Sequence, residues 1–329
     1  MTKRIGIYFT GGTISMQFDP EIGAAVPALS GREIIDSVPG LTDMADIEII
    51  DFGRFPGPHM TLRRMMELSN RVRETLARDE IDGVVITHGT DTLEETAYLM
   101  DLTVASEKPV VFVGAMRNSS EIGWDGPSNL LAATRVASSQ AARRLGTMVV
   151  MNETVLAASE ATKTHTESFD SFQSADFGPL GVIDKGEVII RRSPSVREHI
   201  ATDSIAEPVF LLKAAAGFDS TLINACLDAG AKGIVIEALG RGNLPPDSVP
   251  GIERALSAHL PVVLTSRCLR GRVYESYGYA GGGKHLRNLG VIFADFLNGQ
   301  KARIKLALAL AQTDNVSYIR ELFARGRRS

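Results

Sequence analysis

Cysteine is scarce in this chain: Cys226 and Cys268 are the only two among 329 residues. They lie far apart, in the apolar contexts Ile223-Asn224-Ala225-Cys226-Leu227 and Ser266-Arg267-Cys268-Leu269, outside any Cys-x-x-Cys or Cys/His cluster. That excludes a disulfide scaffold and a thiolate metal site. Both read as buried thiols. A bridge between them is open to the sequence, but an unbridged pair in a reducing compartment is the better fit. The histidines (His59, His88, His165, His199, His259 and His285) and the single tryptophan, Trp124, lack metal-type spacing and read as structural. No metal and no cofactor are expected. Nowhere does the chain hold the roughly 18 consecutive apolar residues of a membrane span. The start, Met1-Thr2-Lys3-Arg4 running into a short apolar stretch, lacks the apolar core and cleavage site of a signal peptide. A cytoplasmic protein is expected. Basic excess is missing too: net charge is −4 and the pI about 5.9, which gives no general attraction to nucleic acid or to anionic membranes.

What is present is the composition of a folded enzyme-sized chain, with 44% hydrophobic and 22% charged residues and a mean hydropathy of +0.04. The length suits two domains. Short β-branched runs at 5–9, 47–51, 83–86, 109–113 and 147–151 are each followed by turn residues and a helix-length segment. This is the rhythm of a mainly parallel sheet flanked by helices. Leu62, Met65, Met66, Leu68, Val72 and Leu76 recur at helical spacing behind Thr61, a fitting N-cap. Segments 91–103 and 127–140 are likewise helical. Residues 180–190 read as two strands about an Asp184-Lys185-Gly186 turn. A polar, Pro/Ser-bearing stretch at 191–208 separates the larger domain, 1–190, from a smaller α/β domain at 209–329. In the latter, strands at 209–212, 233–236 and 261–265 alternate with helices near 219–229 and 248–258. An amphipathic helix is expected at 300–312, and the basic tail 325–329 reads as a solvated terminus. There is no internal repeat.

In an open parallel sheet, ligands bind beyond the carboxyl ends of the strands, so the residues just after each strand matter most. After the first strand comes Thr10-Gly11-Gly12-Thr13-Ile14. Paired glycines let the backbone turn tightly and aim N–H groups at a ligand beside a hydroxyl, as a nucleophile next to an oxyanion hole requires. A plain Gly-Gly turn reads the same way. After the third strand comes His88-Gly89-Thr90-Asp91-Thr92-Leu93-Glu94-Glu95, either an N-cap with dipole-matched acids or a hydroxyl and carboxylate presented to a substrate. Thr162-Lys163-Thr164 adds one amine.

Taken together, Thr10-Gly11-Gly12-Thr13, the segment from His88 to Tyr98, Gly114-Ala115-Met116-Arg117 with Asp125-Gly126-Pro127, and Val149 to Asn152 followed by Thr162-Lys163-Thr164 resemble the bacterial L-asparaginase family. The resemblance extends through Asp228 to Val235 and Gly242-Asn243-Leu244 to Arg303. It implies hydrolysis of the side-chain amide of L-asparagine through a covalent acyl-enzyme, with L-glutamine a weaker substrate and no cofactor. It implies Thr13 as nucleophile, and Thr90, Asp91 and Lys163 as a second triad. Asp91 would anchor the α-ammonium, and N–H groups around Gly12, Thr13, Thr90 and Ala115 would hold the oxyanion. For Lys163 two influences oppose: burial favours the neutral amine and Asp91 the charged one. The resemblance also implies a homo-oligomer, a tetramer built as a dimer of dimers, with each site finished by a neighbour.

Some positions depart from the pattern. The family's mobile loop supplies a tyrosine to activate the nucleophile, whereas Ser15 to Ser30 holds none and Phe18 is its only aromatic. Where secreted members grip the substrate carboxylate with Ser and Gln, this chain reads Gly53-Arg54-Phe55-Pro56-Gly57-Pro58-His59. Arg54 either replaces that grip or faces solvent. The neighbour's glutamate has only Glu275 near its place, in the loop from Arg272 to Gly283, which is either a subunit contact or a surface loop.

The competing signals are weaker. Gly278 to His285 nearly fits a phosphate-binding loop, but His285 replaces the hydroxyl that binds magnesium. Asp51-Phe52-Gly53 has no kinase context. Two other classes stay open: the amide-hydrolysing subunit of an archaeal-type tRNA amidotransferase, and a binding module that has lost turnover. The first brings a partner and an extra N-terminal domain, whereas Met1 stands just before the first strand.

Overall fold

Strands rich in Val and Ile and covered on both faces form the frame of the first part of the chain. The computed structural model describes residues 2–325. In order, its strands are β1 (Arg4–Gly11), β2 (Met16–Asp19), β3 (Ala24–Pro27), β4 (Asp46–Phe55), β5 (Gly83–Thr87), β6 (Val110–Val113), β7 (Thr147–Met151), β8 (Thr154–Ala157), β9 (Thr162–Lys163), β10 (Phe172–Gln173), β11 (Gly181–Asp184) and β12 (Glu187–Ile190). The helices between them are α1 (Gly31–Asp36), α2 (Leu41–Met44), α3 (Leu62–Leu76), α4 (Leu93–Thr103) and α5 (Gly126–Ser138). One eight-stranded sheet has the order β12-β11-β8-β7-β6-β5-β1-β4. Strands β4, β1, β5, β6 and β7 run parallel, and β8, β11 and β12 extend the edge antiparallel. Every residue of β5, β6 and β7 is buried, as a sheet covered on both faces demands.

This order fixes the place of the site. From β1 the chain moves outward to β4, then crosses back to the other side of β1 for β5, β6 and β7. Connections after β1 and β5 therefore leave in opposite directions and open a crevice at their carboxyl ends. Helix α3 begins where the sequence placed it, with the Thr61 hydroxyl accepting from Arg64 N at 3.3 Å. The loop between β1 and α1 forms a hairpin of β2 and β3. Its base is closed by Ala28 N and Leu29 N, both donating to Ser15 O at 2.9 Å.

The chain divides into two compact units, one reaching His199 and the other starting at Ile200. Residues 191–199 are fastened to the first unit. Arg192 pairs with the buried Glu160, whose carboxylate also accepts from Ser195 N at 2.9 Å and Ser195 Oγ at 2.7 Å. Arg197 donates to Arg144 O at 2.8 Å.

In the second unit β13 (Val209–Lys213), β14 (Gly233–Ala238), β15 (Val262–Ser266) and β16 (Ile292–Phe293) form a parallel sheet in that order. Its helices are α6 (Thr221–Asp228), α7 (Val249–Ser257), α8 (Gly283–Leu289), α9 (Gly299–Gln312) and α10 (Val316–Ala324). Two expectations are corrected here. The segment expected to be an amphipathic helix is buried over most of its length as α9, Lys301 and Lys305 included, because it packs on β13, β14 and β15 and also on α10, where the Lys305 ammonium lies 5.1 Å from the centre of the Phe323 ring. Cys226 is buried on α6, where burial pushes its thiol up, but Cys268 is exposed. The chain has left β15 by then and turns through 267–271 at the surface. Both thiols are free. Residues 326–329 of the basic tail lie outside the described residues.

Candidate active site

At the crevice, three loops meet main chain to main chain. Gly12 adopts φ 83° and ψ −178°, a conformation that side chains of L residues avoid. A Cβ built there would stand 2.4 Å from Gly89 N, and one on Gly89 would stand 2.7 Å from Gly57 Cα. Thus the loops after β1, β5 and β4 touch at Gly12, Gly89 and Gly57, with no room for a methyl group. Gly12 N donates to Phe55 O at 3.1 Å, and Thr92 Oγ1 donates to Gly57 O at 2.7 Å. The trace of this backbone wall in the sequence is Pro56-Gly57-Pro58, which stands beside the more conspicuous side chain of Arg54.

Thr13 opens a single 3₁₀ turn directly behind Gly12. Across the Gly12–Gly89 junction, Thr90 is buried and Asp91 is open to solvent. Lys163, from β9, joins these two: its Nζ donates to Thr90 Oγ1 at 2.9 Å and to Asp91 Oδ1 at 2.8 Å. Only 15% of its side chain is exposed, against 59% for Asp91. β9 is held by β10, with Lys163 opposite Phe172.

A neighbouring buried network fixes the turn that carries Thr90. His88 is completely buried, with Nδ1 2.8 Å from Gly89 O and Nε2 2.8 Å from Thr96 Oγ1. A carbonyl only accepts, so Nδ1 carries the proton and Nε2 accepts from the threonine hydroxyl. Burial pulls the imidazole down to about 4, which keeps it neutral near pH 7. The structural role expected for this histidine is therefore a specific one.

Gly114 and Ala115 close another side. A Cβ on Gly114 would meet His88 O at 2.9 Å and Thr90 Cγ2 at 3.0 Å. The Asp125 carboxylate accepts from Met116 N and Arg117 N at 2.9–3.1 Å, and Asn129 Nδ2 donates to both Gly114 O and Asp125. Fully buried Ala115 lies between these anchors.

Two further candidate residues have other hydrogen-bond and ion-pair partners. Arg54 donates to Ala28 O at 3.4 Å, at the foot of the β2–β3 hairpin. Glu275 belongs to the second unit, where its carboxylate lies 3.5 Å from Lys284 Nζ and 3.8 Å from Arg287 Nε. The hydrogen bonds that join Thr90, Asp91 and Lys163 use neither.

Residues 4–196 match the family model for the asparaginase N-terminal domain, and residues 208–323 that for the glutaminase/asparaginase C-terminal domain. An L-asparaginase from Bacillus licheniformis is 34% identical over 94% of this chain and 96% of its own length. A probable cytoplasmic L-asparaginase from Campylobacter jejuni, of known crystal structure, is 35% identical and superposes with a TM-score of 0.89 over 98% of this chain and 99% of that one. A subunit of the glutamyl-tRNA(Gln) amidotransferase of Pyrococcus abyssi is 33% identical over 97% of this chain and 74% of its own.

Proposed function

The chain belongs to the asparaginase family, and from that premise we propose that it hydrolyses the side-chain amide of L-asparagine to L-aspartate and ammonia. The observation that carries the reading is the Lys163 ammonium bridging Thr90 and Asp91 beside the Gly12–Gly89 junction. Thr13 Oγ attacks the amide carbon, a Cγ–O ester forms, the Cγ–N bond breaks, and the proton lost by the hydroxyl leaves with ammonia. Backbone N–H groups around Gly12, Thr90 and Ala115 face the developing oxyanion. Water guided by Thr90 then cleaves the ester and frees Thr13. Asp91 holds the substrate's α-ammonium. No step calls on a metal or cofactor.

Asparagine is the preferred amide and glutamine the weaker one; one methylene separates them, worth about 1–3 kcal/mol in a fitted pocket. Assembly into a tetramer of paired dimers is supported by the loop 272–283, where Tyr274, Tyr277 and Tyr279 are all exposed and the last two stack with centroids 5.7 Å apart. Two free thiols support a reducing, cytoplasmic setting.

Ammonia release by the purified chain tests the reading. Thr13→Ala should lower kcat by several orders of magnitude. Retained turnover removes Thr13 as nucleophile, and a kcat/KM for glutamine at or above that for asparagine reverses the preference.

A further inference from the structure

The segment Gly114-Ala115-Met116-Arg117 carries a cation that the proposed chemistry does not use. Arg117 is half-buried, and its guanidinium is held on three sides. Nη1 donates to Ile122 O at 2.8 Å, the Phe169 ring centre lies 4.4 Å from Cζ, and a Cβ built on Gly123 would stand 2.7 Å from Nη1. Gly123 adopts φ 79°, so its backbone passes beside the guanidinium where a side chain has no room.

Phe169 ties this arginine to Lys163. It stands in the loop 164–171, which leaves β9 directly after Lys163 and returns as β10. Those strands are two residues each, too short to hold the loop by themselves. Hydrogen bonds within the loop are local: Thr164 N and Oγ1 donate to Ser171 O at 2.7 and 3.0 Å, and Glu167 N and Ser168 N both donate to His165 Nδ1 at 3.0 Å. Two contacts carry the loop to the segment after β6, and they fall on consecutive residues. Buried Ser171 donates its hydroxyl to Met116 Sδ at 3.2 Å, and the Phe169 ring lies against the Arg117 guanidinium.

The same segment grips the other side of the site. Ser119 N and Oγ donate to Met16 O at 3.1 and 2.9 Å, and Ser120 Oγ accepts from Phe18 N at 2.9 Å. Met16 and Phe18 belong to β2, which the chain enters directly from the 3₁₀ turn of Thr13. Residues 116–120 thus stand between the strand that follows Thr13 and the hairpin that presents Lys163.

Resting on the asparaginase reading above, we infer that Arg117 is a positioning residue for the hydrolysis: by clamping Phe169 it holds the β9–β10 hairpin to the loop after β6, and so keeps Lys163 Nζ on Thr90 and Asp91. It acts through Phe169 and Lys163. Freedom gained at β9 passes along the lysine stem to Nζ, and a displacement on the order of 1 Å there costs about ten- to a hundredfold in rate. Asp91, which holds the substrate, is carried by the loop after β5, so the loss falls on kcat rather than on KM.

Steady-state kinetics of the full chain with asparagine test this. Arg117→Met keeps an unbranched apolar stem and removes the guanidinium; kcat should fall about tenfold with KM within about threefold of the parent. Phe169→Leu should lose about as much, and Phe169→Tyr, which keeps the ring, should stay within about twofold of the parent. Arg117→Met combined with Phe169→Leu should lose no more than either change alone, because both cut one link. Losses that multiply overturn the inference, as does an unchanged kcat in Arg117→Met or a rise in KM that matches the fall in kcat. Phe169 stands in a largely exposed loop, so its variants should melt within about 4 °C of the parent and carry the test if Arg117→Met does not fold. A parent that releases no ammonia overturns the asparaginase reading itself, whereas an active parent whose kcat is indifferent to Phe169→Leu overturns only the role of Arg117.

Discussion

Acidification acts on His88 in a way that can be worked through. The imidazole is completely buried, and burial holds it at about 4 against an ordinary 6.5. In the unfolded chain it takes up a proton as pH falls through 6.5; in the folded chain it does so only near 4. Between those values the unfolded state binds more protons, so stability is fully present above about 6.5 and is lost as pH falls toward 4. At about 1.4 kcal/mol per pH unit, the loss between pH 7 and pH 5 is about 2 kcal/mol, and it approaches about 3 kcal/mol near pH 4. Carboxylates contribute little in the upper window: Glu48, Glu160 and Asp82 are held below their ordinary values and give up stability only at lower pH. Urea unfolding at pH 7, 6 and 5, for the parent and for His88→Gln, isolates the effect. The parent should lose about 2 kcal/mol and the variant should stay flat over the same range. Equal slopes would mean that His88 is not held neutral, and its part in fixing the Gly89–Thr90 turn would fall with it.

Gly12→Ala should cost at least a hundredfold in kcat, because a methyl 2.4 Å from Gly89 N must drive the Thr13 and Thr90 loops apart; parent-like turnover would refute the junction. Thr10→Ala removes a buried hydroxyl that donates to Thr87 O at 2.7 Å, so thermal denaturation should show a loss of about 1 kcal/mol while kcat stays within tenfold. Asp125→Asn weakens the contacts to Met116 N and Arg117 N, and a drop in kcat larger than any rise in KM is expected from steady-state kinetics. Dialysis against a chelator should leave activity intact, and restoration of lost activity by a divalent ion would contradict the route through Thr13. Sedimentation should find a tetramer; a fully active monomer would refute the shared assembly.

Much of the frame is legible in the sequence because β1, β5, β6 and β7 are continuous apolar runs between turn residues, the mark of strands covered on both faces. The pieces that escape notice are those whose order comes from elsewhere. β9 and β10 are two residues each and exist through one another, and β16 is equally short, so none has a period to detect. The β2–β3 hairpin has no fully buried residue despite Met16, Phe18 and Val26, and its pairing is supported from outside by Ser15 O and by Ser120 Oγ, which accepts from Phe18 N at 2.9 Å. Thr13, Thr90, Asp91 and Lys163 are named by their motifs. Gly57 and Thr92 are not, because a backbone contact between distant loops leaves only a glycine and two prolines as its trace. The helix α9 misleads for a related reason: the sheet strands β13, β14 and β15 and the helix α10 pack around it, and the Lys305 ammonium lies against Phe323 of α10.

The glycine junction also bears on heat. Side chains hop between rotamers on picosecond to nanosecond timescales, and their spread widens as the protein is warmed. Main chain resting on main chain has no rotamers to populate. The separation of the loops that carry Thr13 and Thr90 is therefore set by covalent geometry and atomic radii, whereas the Lys163 ammonium reaches Thr90 at the end of a four-carbon stem. Warming short of unfolding blurs the lysine first, and the attacking and receiving loops keep their spacing after the charge between them has begun to wander.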